Sequence, residues 1–163
     1  DMYQEQVRIL ADAGIDLIAA ETMINIEETL AAVDAASSVC DLPIMCTMTV
    51  EADGSIFSGG NAIEASVSLE AAGADAVGIN CSVGPDQLVS VVRSIKENVS
   101  IPVIAKPNAG MPTIDDKGQA VYSMNAEDFA SYMKVLIESG ASVVGGCCGT
   151  TPAFIKALHD SIR

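Results

Sequence analysis

One unit recurs along this chain of 163 residues: a short apolar run, a turn that contains glycine, and a segment with helical periodicity. None of the apolar runs alternates between apolar and polar residues, which is typical of strands buried on both faces of a parallel sheet. The repeat therefore predicts an α/β fold with a parallel sheet. The predicted strands span residues 16–20, 44–49, 76–80, 103–106 and 142–145, and the predicted helices span residues 3–13, 26–37, 62–72, 85–97, 126–138 and 152–162.

The predicted helix ends carry residues that fit these boundaries. Segments 13–16, 72–75 and 139–142 share one pattern, in which glycine ends a helix just before a strand. Asn125 and Asp128 have the spacing of a capping pair before the next helix. The starts of the helices at 85 and 152 are both proline, which suits the first position of a helix.

Five strands in this alternation allow two architectures. One is an open, doubly wound sheet, and the other is the C-terminal five βα units of a (β/α)8 TIM barrel, a fold of about 250 residues. The chain opens on a helix whose own strand is not in the sequence. This favours an incomplete barrel, with residues 1–163 as one partial barrel domain whose N-terminal strands are missing.

Charge, hydropathy and cysteine content narrow the function classes. With 22 acidic and 8 basic residues the net charge is −14, which repels a phosphate backbone and argues against nucleic-acid binding. No apolar run reaches the length of about 18 residues that predicts a membrane span, and the first residues do not resemble a signal peptide. An odd number of cysteines then suits reduced thiols in the cytoplasm, some of them metal ligands. The cysteines are Cys40, Cys46, Cys81, Cys147 and Cys148.

Reactive and polar side chains cluster at the carboxyl ends of the predicted strands. Parallel α/β folds build their sites at this edge of the sheet, so the strand ends predict a single site on one rim. The residues concerned are Glu21, Thr22, Thr47, Thr49, Asn80, Cys81, Lys106, Asn108, Cys147 and Cys148.

The strongest local signal is the segment Gly-Gly-Cys-Cys-Gly-Thr-Thr-Pro at residues 145–152. Adjacent side chains on a regular strand point to opposite faces, so the flanking glycines are needed to bring both sulfurs to one side. Thr151 is expected to cap the helix that follows, and the positive end of that helix would favour the thiolate forms of Cys147 and Cys148. Cys81 offers a third thiolate from another strand end.

Three thiolates with one remaining position are typical of a catalytic zinc site. A substrate thiol that binds as the fourth ligand loses its proton and stays nucleophilic, whereas histidine-ligated zinc activates water. The pattern therefore favours alkylation of a thiol over hydrolysis. The alternative for the adjacent pair is burial as two small apolar residues, which is the role that we expect for Cys40 and Cys46.

Four segments resemble the homocysteine S-methyltransferase family, which includes the homocysteine-binding domain of cobalamin-dependent methionine synthase and betaine–homocysteine methyltransferase. They are Asp-Leu-Ile-Ala-Ala-Glu-Thr at 16–22, Gly-Ile-Asn-Cys at 78–81, Ala-Lys-Pro-Asn-Ala-Gly at 105–110 and Gly-Gly-Cys-Cys-Gly-Thr at 145–150. The resemblance runs along nearly the whole chain. It looks closer to the methionine synthase branch than to the betaine branch.

The resemblance implies a reaction and the residues that support it. The reaction is zinc-dependent transfer of a methyl group to the thiol of homocysteine, which forms methionine. The donor would be methylcobalamin or methyltetrahydrofolate on partner domains, or a small onium compound. Glu21 would hold the amino group of homocysteine, and Asn108 would fill the fourth zinc position until the substrate sulfur displaces it. The implied zinc ligands and catalytic residues are Cys81, Cys147 and Cys148, with Asn108 as a further metal ligand, and the implied substrate-binding residues are Glu21, Asn80 and Asn108.

One part of the family pattern is missing. Family members begin with strands that supply an Asp-Gly loop for the amino-acid end of homocysteine, and nothing before Tyr3 provides it. Metal binding is then expected to persist where catalysis fails. The first and last strands would also expose unpaired edges, so we expect the chain to self-associate or to bind a missing N-terminal half.

Two other functions stay open at this point. One is a non-catalytic zinc-binding or assembly module derived from such a barrel. The other is an open α/β protein that binds phosphate or a nucleotide, although the glycine-rich loop that this needs after the first strand is absent. Lys106 is expected to pair with Glu21 or Asp75, His159 to lie away from the rim, and the loop at 53–60 to serve as a lid or a donor contact.

Overall fold

Strands and helices alternate along the chain, as the sequence pattern predicts. The computed structural model describes residues 1–163. Its helices are α1 (Met2–Asp12), α2 (Ile26–Val39), α3 (Ala62–Ala71), α4 (Val89–Asn98), α5 (Ala126–Glu138) and α6 (Pro152–Ser161). Its strands are β1 (Ile18–Met23), β2 (Ile44–Met48), β3 (Ala76–Asn80), β4 (Val103–Lys106), β5 (Pro112–Ile114), β6 (Ala120–Tyr122) and β7 (Ala141–Val144). Given their lengths and polar content, none of the six helices could cross a lipid bilayer.

Five of the strands form one parallel sheet in the order β1-β2-β3-β4-β7. The spatial order follows the chain order without a reversal, whereas a doubly wound sheet reverses at a switch point. Each helix also packs beside the next one along the chain, from α1 to α6. Consecutive βα units of a (β/α)8 barrel have this arrangement, so the barrel prediction is confirmed and the open doubly wound sheet is excluded.

The hydrophobic core lies between the helices and the face of the sheet that they cover. Phe129 and Met133 of α5 are fully buried there, and the ring of Phe129 meets Phe154 of α6 edge to face, with centroids 5.5 Å apart. Val103 and Ala105 of β4 belong to the same core. Burial of these apolar side chains fixes the strands relative to one another, so the carboxyl ends of the strands keep fixed relative positions.

Several helix ends follow the predicted signals. The side-chain oxygen of Asn125 accepts a hydrogen bond from the N–H of Asp128, and the Asn125 amide donates to the Asp128 carboxylate, so the predicted capping pair is confirmed. Gly14, Gly73 and Gly140 have positive φ values after α1, α3 and α5. The repeated glycine pattern therefore marks three helix ends, as predicted.

Two predictions about helix starts are wrong. The helix expected at 85–97 is divided, because Pro85–Gln87 forms a 3₁₀ turn and α4 begins only at Val89. Thr151 occupies the N-cap position of α6, but its side chain makes no capping hydrogen bond. The neighbouring Thr150 hydroxyl instead donates to the carbonyl oxygen of Cys147, inside the preceding loop.

The first strand is also longer than predicted. Glu21 and Thr22 lie within β1 and do not follow it, because the strand continues to Met23 across an irregularity in its pairing with β2. Thr22 has a φ of 60° at this irregularity. The apolar run that defined the predicted strand ends at Ala20, so composition alone misses the polar continuation.

An antiparallel hairpin between β4 and α5 is absent from the sequence prediction. β5 pairs with β6, and Asp115 Oδ1 accepts hydrogen bonds from the N–H groups of Lys117 and Gln119 at the turn. The sequence does carry the signal, because Asp-Asp-Lys-Gly at 115–118 is a turn sequence between two short runs that favour strands. Both strands are largely exposed and lack the long apolar runs by which the parallel strands were found.

Candidate metal centre

Cys81 is the first residue after β3 and lies in a tight turn. Cys81 and Ser82 have φ values of 66° and 65°, in the left-handed region that residues other than glycine rarely adopt. The N–H of Val83 donates to the carbonyl oxygen of Cys81, and the N–H of Cys81 donates to that of Lys106, both at 3.0 Å. These bonds hold a strained turn of the kind found at functional sites, which takes Cys81 out of the regular strand alternation.

Cys147 and Cys148 lie in the loop between β7 and α6. The N–H of Cys147 donates to the carbonyl oxygen of Pro107 at 2.8 Å, and the N–H of Ala109 donates to that of Cys148 at 2.9 Å. The carbonyl oxygen of Cys147 also accepts a hydrogen bond of 2.6 Å from the Thr150 hydroxyl. The segment after β4 therefore holds the backbone of both cysteines in place.

Glycines beside the cysteine pair are required by close contacts. A Cβ atom at Gly146 would lie 2.5 Å from Thr150 Cγ2, and one at Gly149 would lie 2.3 Å from the ring of Tyr122. Gly149 also has a φ of 80°, which favours glycine, whereas the φ values of Gly145 and Gly146 are not positive. The predicted need for glycine is therefore confirmed at Gly149 by conformation and at Gly146 by packing.

The three predicted sulfurs converge on one place. Sγ of Cys81 is 3.6 Å from Sγ of Cys148, Sγ of Cys147 is 4.0 Å from Sγ of Cys148, and all three lie within 4.8 Å of one another. Tetrahedral zinc with Zn–S bonds of about 2.3 Å would place its sulfur ligands roughly 3.8 Å apart. The donor set and its spacing therefore fit a zinc ion, and neither a histidine nor a carboxylate belongs to the cluster.

The protonation of Cys81 depends on its burial and on the neighbouring sulfurs. Burial raises the pKa of Cys81 to about 11, and the neighbouring sulfurs of Cys147 and Cys148 also raise it. A coordinated metal reverses this effect, because a thiol that binds it is deprotonated. Cys81 and Cys147 are half-buried and Cys148 is exposed, so a small thiol can approach the cluster from the side of Cys148.

Asn80, the last residue of β3, links the cysteines to β1. Its buried side-chain oxygen accepts a hydrogen bond of 3.0 Å from the N–H of Thr22. Its amide nitrogen donates to the Thr22 hydroxyl at 2.7 Å and faces Sγ of Cys147 at 3.8 Å. Asn80 therefore holds both the irregular backbone of Thr22 and the sulfur of Cys147, and its expected contact with substrate stays a prediction.

Asn108 connects the two cysteine-bearing loops. Its amide nitrogen donates to the carbonyl oxygen of Ser82 at 2.9 Å, and its side-chain oxygen accepts from the N–H of Cys148 at 3.1 Å. The residue is buried. The expected role of Asn108 as an oxygen ligand of the metal stays a prediction, because the one hydrogen bond that its oxygen accepts leaves a second lone pair.

Glu21 and Lys106 form an ion pair on the same rim. Nζ of Lys106 is 2.5 Å from Oε1 of Glu21, and the two side chains are 16% and 44% exposed. The structure thereby decides between the two predicted partners of Lys106, because Asp75 instead accepts a hydrogen bond from the N–H of Ile44.

The hairpin places Tyr122 beside the cysteine loop. The Tyr122 ring packs on Gly149, and burial together with the nearby Cys148 sulfur raises the pKa of Tyr122. Sequence reasoning did not identify Tyr122 as a site residue, because no local pattern indicates a contact with a glycine 27 positions further along the chain.

The other residues singled out from the sequence lie away from the cluster. Cys46 is fully buried in β2, where burial raises its pKa to about 11, and Cys40 packs against the core at the end of α2, so both packing roles are confirmed. His159 is exposed in the last turn of α6, next to Asp160. The loop at 53–60 is held by internal backbone bridges, and its role as a lid or donor contact stays a prediction.

Known proteins resemble this chain along its whole length. A family model described as homocysteine S-methyltransferase matches residues 1–162. Methionine synthase of Mycobacterium tuberculosis is 35% identical over 168 residues, which cover 99% of this chain and 14% of that protein. Homocysteine S-methyltransferase 3 of Zea mays is 34% identical over 168 residues, which cover 100% of this chain and 49% of that protein.

A solved structure supports the same relationship. The crystal structure of the homocysteine methyltransferase MmuM from Escherichia coli in its apo form matches with a TM-score of 0.79 at 25% identity, over 98% of this chain and 57% of that chain. The chain thus spans about half the length of the plant relative and of this bacterial structure. Because the family model covers all but one residue, the resemblance predicted from four short segments is confirmed: the chain belongs to the homocysteine S-methyltransferase family.

Proposed function

We propose that this chain contributes the homocysteine-activating site of a zinc-dependent S-methyltransferase that forms methionine. The observation that carries the proposal is the convergence of three sulfurs within 4.8 Å, without a histidine or carboxylate as a fourth member. A structural zinc site is usually closed by four protein ligands, whereas a catalytic site keeps one position for substrate. Family membership supports homocysteine as the thiol.

The proposed roles follow from the hydrogen bonds around the cluster. Zinc held by Cys81, Cys147 and Cys148 would lower the pKa of the homocysteine thiol, so that its sulfur reacts as a thiolate near neutral pH. Glu21 would bind the ammonium group of the same substrate. Asn108 would keep the two cysteine-bearing loops at a fixed separation, or serve as the oxygen ligand that the substrate displaces.

The methyl donor is proposed to come from outside the chain. Similarity to a methionine synthase, of which the chain spans 14%, supports methylcobalamin or methyltetrahydrofolate on partner domains. A small onium compound is the alternative donor. Supplying each donor in turn with homocysteine to the chain in association with an N-terminal half of the barrel, and detecting methionine by mass spectrometry, distinguishes the two.

We also propose that the parallel sheet is completed by association, with a second copy or with an N-terminal half of the barrel. Leu17 beside β1 and Val143 in β7 are 46% and 38% exposed at the two edges. Apolar side chains next to unpaired strand edges favour contact with another chain.

We propose the cytoplasm as the location of the protein. The five free cysteines support this location, because its reducing conditions keep thiols available to a metal.

A non-catalytic zinc-binding module is the second candidate function. The observation in its favour is that this chain alone supplies the three sulfurs and also the hydrogen bonds that hold them. The two candidates differ in their response to homocysteine, because a structural zinc site has no position for the substrate sulfur.

Calorimetry on the zinc-loaded chain tests the proposal. Titration with homocysteine at pH 7, in two buffers of different ionisation enthalpy, counts the protons released on binding. We expect about one proton per homocysteine bound, because a free thiol with a pKa near 8.5 is mostly protonated at this pH. Homoserine, with oxygen in place of sulfur, is the matched control and should not bind comparably. Absence of homocysteine binding, or binding without proton release, would contradict the proposed function.

A further inference from the structure

Lys106 is the single lysine or arginine in the parallel sheet. The other seven basic residues lie on helices, in the hairpin turn or at the C-terminus. Its Nζ is 2.5 Å from the Glu21 carboxylate, although β4 and β1 are separated by β2 and β3. Neighbouring strands are about 4.8 Å apart, so the two side chains could not meet above a flat sheet. The ion pair therefore spans the concave face of a curved sheet.

The alternation of residues along β4 agrees with this placement. Val103 and Ala105 belong to the core beneath the helices, whereas Ile104 is fully buried without belonging to that core. Successive side chains of a strand point to opposite faces, so Ile104 and Lys106 lie on the concave side. This is the interior of the barrel, where ligands of such folds approach from the carboxyl ends of the strands.

The ion pair is connected to the sulfur cluster on both sides. The carbonyl oxygen of Lys106 accepts the N–H of Cys81. Thr22, next to Glu21, is bonded to Asn80, whose amide faces the Cys147 sulfur. The ion pair and the sulfur cluster are therefore held at the same end of the sheet by one set of hydrogen bonds.

We propose that Lys106 binds the substrate carboxylate, so that together with Glu21, to which the proposed function already assigns the ammonium group, it forms a clamp for the two charges of an α-amino acid. This inference rests on the proposed function, with homocysteine as substrate. The Lys106 side chain is only 16% exposed. If it separated from Glu21 without gaining a new partner, its charge would be left poorly hydrated, which is unfavourable. A zwitterion supplies both counter-charges in one molecule, and each residue keeps a charged partner.

The clamp also gives selectivity among thiols. The pair carries no net charge, so it matches a substrate end that carries no net charge. A thiol with only an ammonium group would leave Lys106 unpaired, and one with only a carboxylate would leave Glu21 unpaired. Each mismatch is disfavoured because a buried charged group is left without its hydrogen bonds.

Binding of three thiols to the zinc-loaded chain tests the clamp, with calorimetry as the readout. The ligands are homocysteine, 3-mercaptopropylamine, which lacks the carboxylate, and 4-mercaptobutanoate, which lacks the ammonium group. In the unsubstituted chain we expect homocysteine to bind roughly 10- to 100-fold more tightly than either analogue, the range of one charge-assisted hydrogen bond. Lys106→Met should remove the preference over 3-mercaptopropylamine, and Glu21→Gln should remove the preference over 4-mercaptobutanoate.

Two further variants control for folding and for charge. Lys156→Met removes an equally short lysine–carboxylate pair on the exposed surface of α6, and it should leave all three affinities unchanged. Lys106→Arg keeps the charge and should retain the preference for homocysteine over 3-mercaptopropylamine, so the clamp stays testable if Lys106→Met fails to bind zinc.

Three outcomes would overturn the inference, and they are distinguishable. If Lys106→Met weakens homocysteine and 3-mercaptopropylamine equally, Lys106 only positions Glu21. If Lys106→Met leaves both affinities, and with them the preference for homocysteine over 3-mercaptopropylamine, unchanged, or if Lys106→Arg loses that preference, Lys106 does not bind the carboxylate. If the unsubstituted chain binds no homocysteine at all, the proposed function itself fails and the clamp fails with it.

Discussion

Individual residues at this site act mainly through hydrogen bonds to loop backbone. Asn80 and Asn108 each make bonds to two partners, and together they tie the Cys81 turn, the Cys147–Cys148 loop and strand β1 to one another. Such outer hydrogen bonds orient metal ligands and are needed for tight binding. The spacing of the three sulfurs is therefore a property of the surrounding amides as much as of the cysteines.

Substitution of Asn80 tests this dependence. Asn80→Ala removes the acceptor of the Thr22 N–H and the amide that faces Cys147. We expect zinc affinity to fall by about 10- to 100-fold, as for other residues that support metal ligands. Competition against a chromophoric chelator measures the change.

Asn25→Ala is the matched control for this experiment. Asn25 caps α2 through its side-chain oxygen, which accepts from the N–H of Glu28, and the loss should cost about 1 kcal/mol of folding stability. Its zinc affinity should stay that of the unsubstituted chain. Equal zinc affinities in the two variants would show that Asn80 does not support the cluster.

The three cysteines proposed as metal ligands could be found from the sequence, whereas their backbone geometry could not. Cys81, Cys147 and Cys148 stand out because they follow strands and the last two are flanked by glycine. The positive φ values of Cys81 and Ser82 have no local signature, since neither residue favours that conformation. The turn is joined to β4 by the long-range bond from the N–H of Cys81 to the carbonyl oxygen of Lys106, which no pattern of neighbouring residues reveals.

The hairpin β5–β6 lies outside the parallel sheet and contributes a packing contact to the loop that carries Cys147 and Cys148. It brings Tyr122 onto Gly149, which has a φ of 80° in the loop that carries the cysteines. The hairpin therefore adds a packing contact to the loop that carries the cysteines.

Gly149→Ala tests this contact. The alanine would meet both an unfavourable backbone conformation and the Tyr122 ring. Gly14→Ala is a close control, because Gly14 has a φ of 83° and nothing within 4 Å of its Cβ position. We expect Gly14→Ala to cost about 1 kcal/mol from conformation alone, and Gly149→Ala to cost about 1–3 kcal/mol more from the clash. Urea unfolding measures both.

A second substitution separates the two contributions at Gly149. Tyr122→Ala should reduce the additional cost of Gly149→Ala, because the alanine then meets no ring. Equal losses for Gly14→Ala and Gly149→Ala in the presence of Tyr122 would contradict the packing of the hairpin on the cysteine loop.

Element boundaries were predictable where hydrophobic periodicity and end signals coincide. β3, β4 and α5 begin and end at the predicted residues, because each is an apolar or periodic run with a clear start and stop. The exposed hairpin and the polar end of β1 were not predicted, since neither is defined by burial. The division between Pro85–Gln87 and α4 was also missed, because proline suits the first turn of either kind of helix.

For the whole molecule, the order of the sheet distinguishes a barrel from an open fold. The sequence alone allowed both, because five βα units are common to them. The sequential strand order and the ion pair between β1 and β4 require a curved sheet with a concave side. Curvature depends on long-range packing, so it could be inferred from the family resemblance but not from the periodicity of the chain.

Exposed apolar side chains at the two sheet edges lead to a prediction for the whole chain. We expect sedimentation velocity to show association that increases with protein concentration. Val143→Lys in β7 should weaken it, because a charged side chain on an edge strand opposes pairing with another chain. Phe57→Ser is the control, because Phe57 is 88% exposed in the loop at 53–60, outside the two edge strands, and the substitution should have no comparable effect on association. A single monomeric species at all concentrations would contradict the proposal of association.

X-ray absorption at the zinc K-edge tests most directly whether three sulfurs bind a metal and leave room for a fourth. The zinc-loaded chain is predicted to show three sulfur ligands at about 2.3 Å and one oxygen or nitrogen ligand, and homocysteine should convert this to four sulfurs. Cys147→Ser should lower the sulfur number by one, whereas Cys40→Ser should not change it. Fewer than three sulfur ligands in the unsubstituted chain, or a sulfur number that homocysteine leaves at three, would contradict the account.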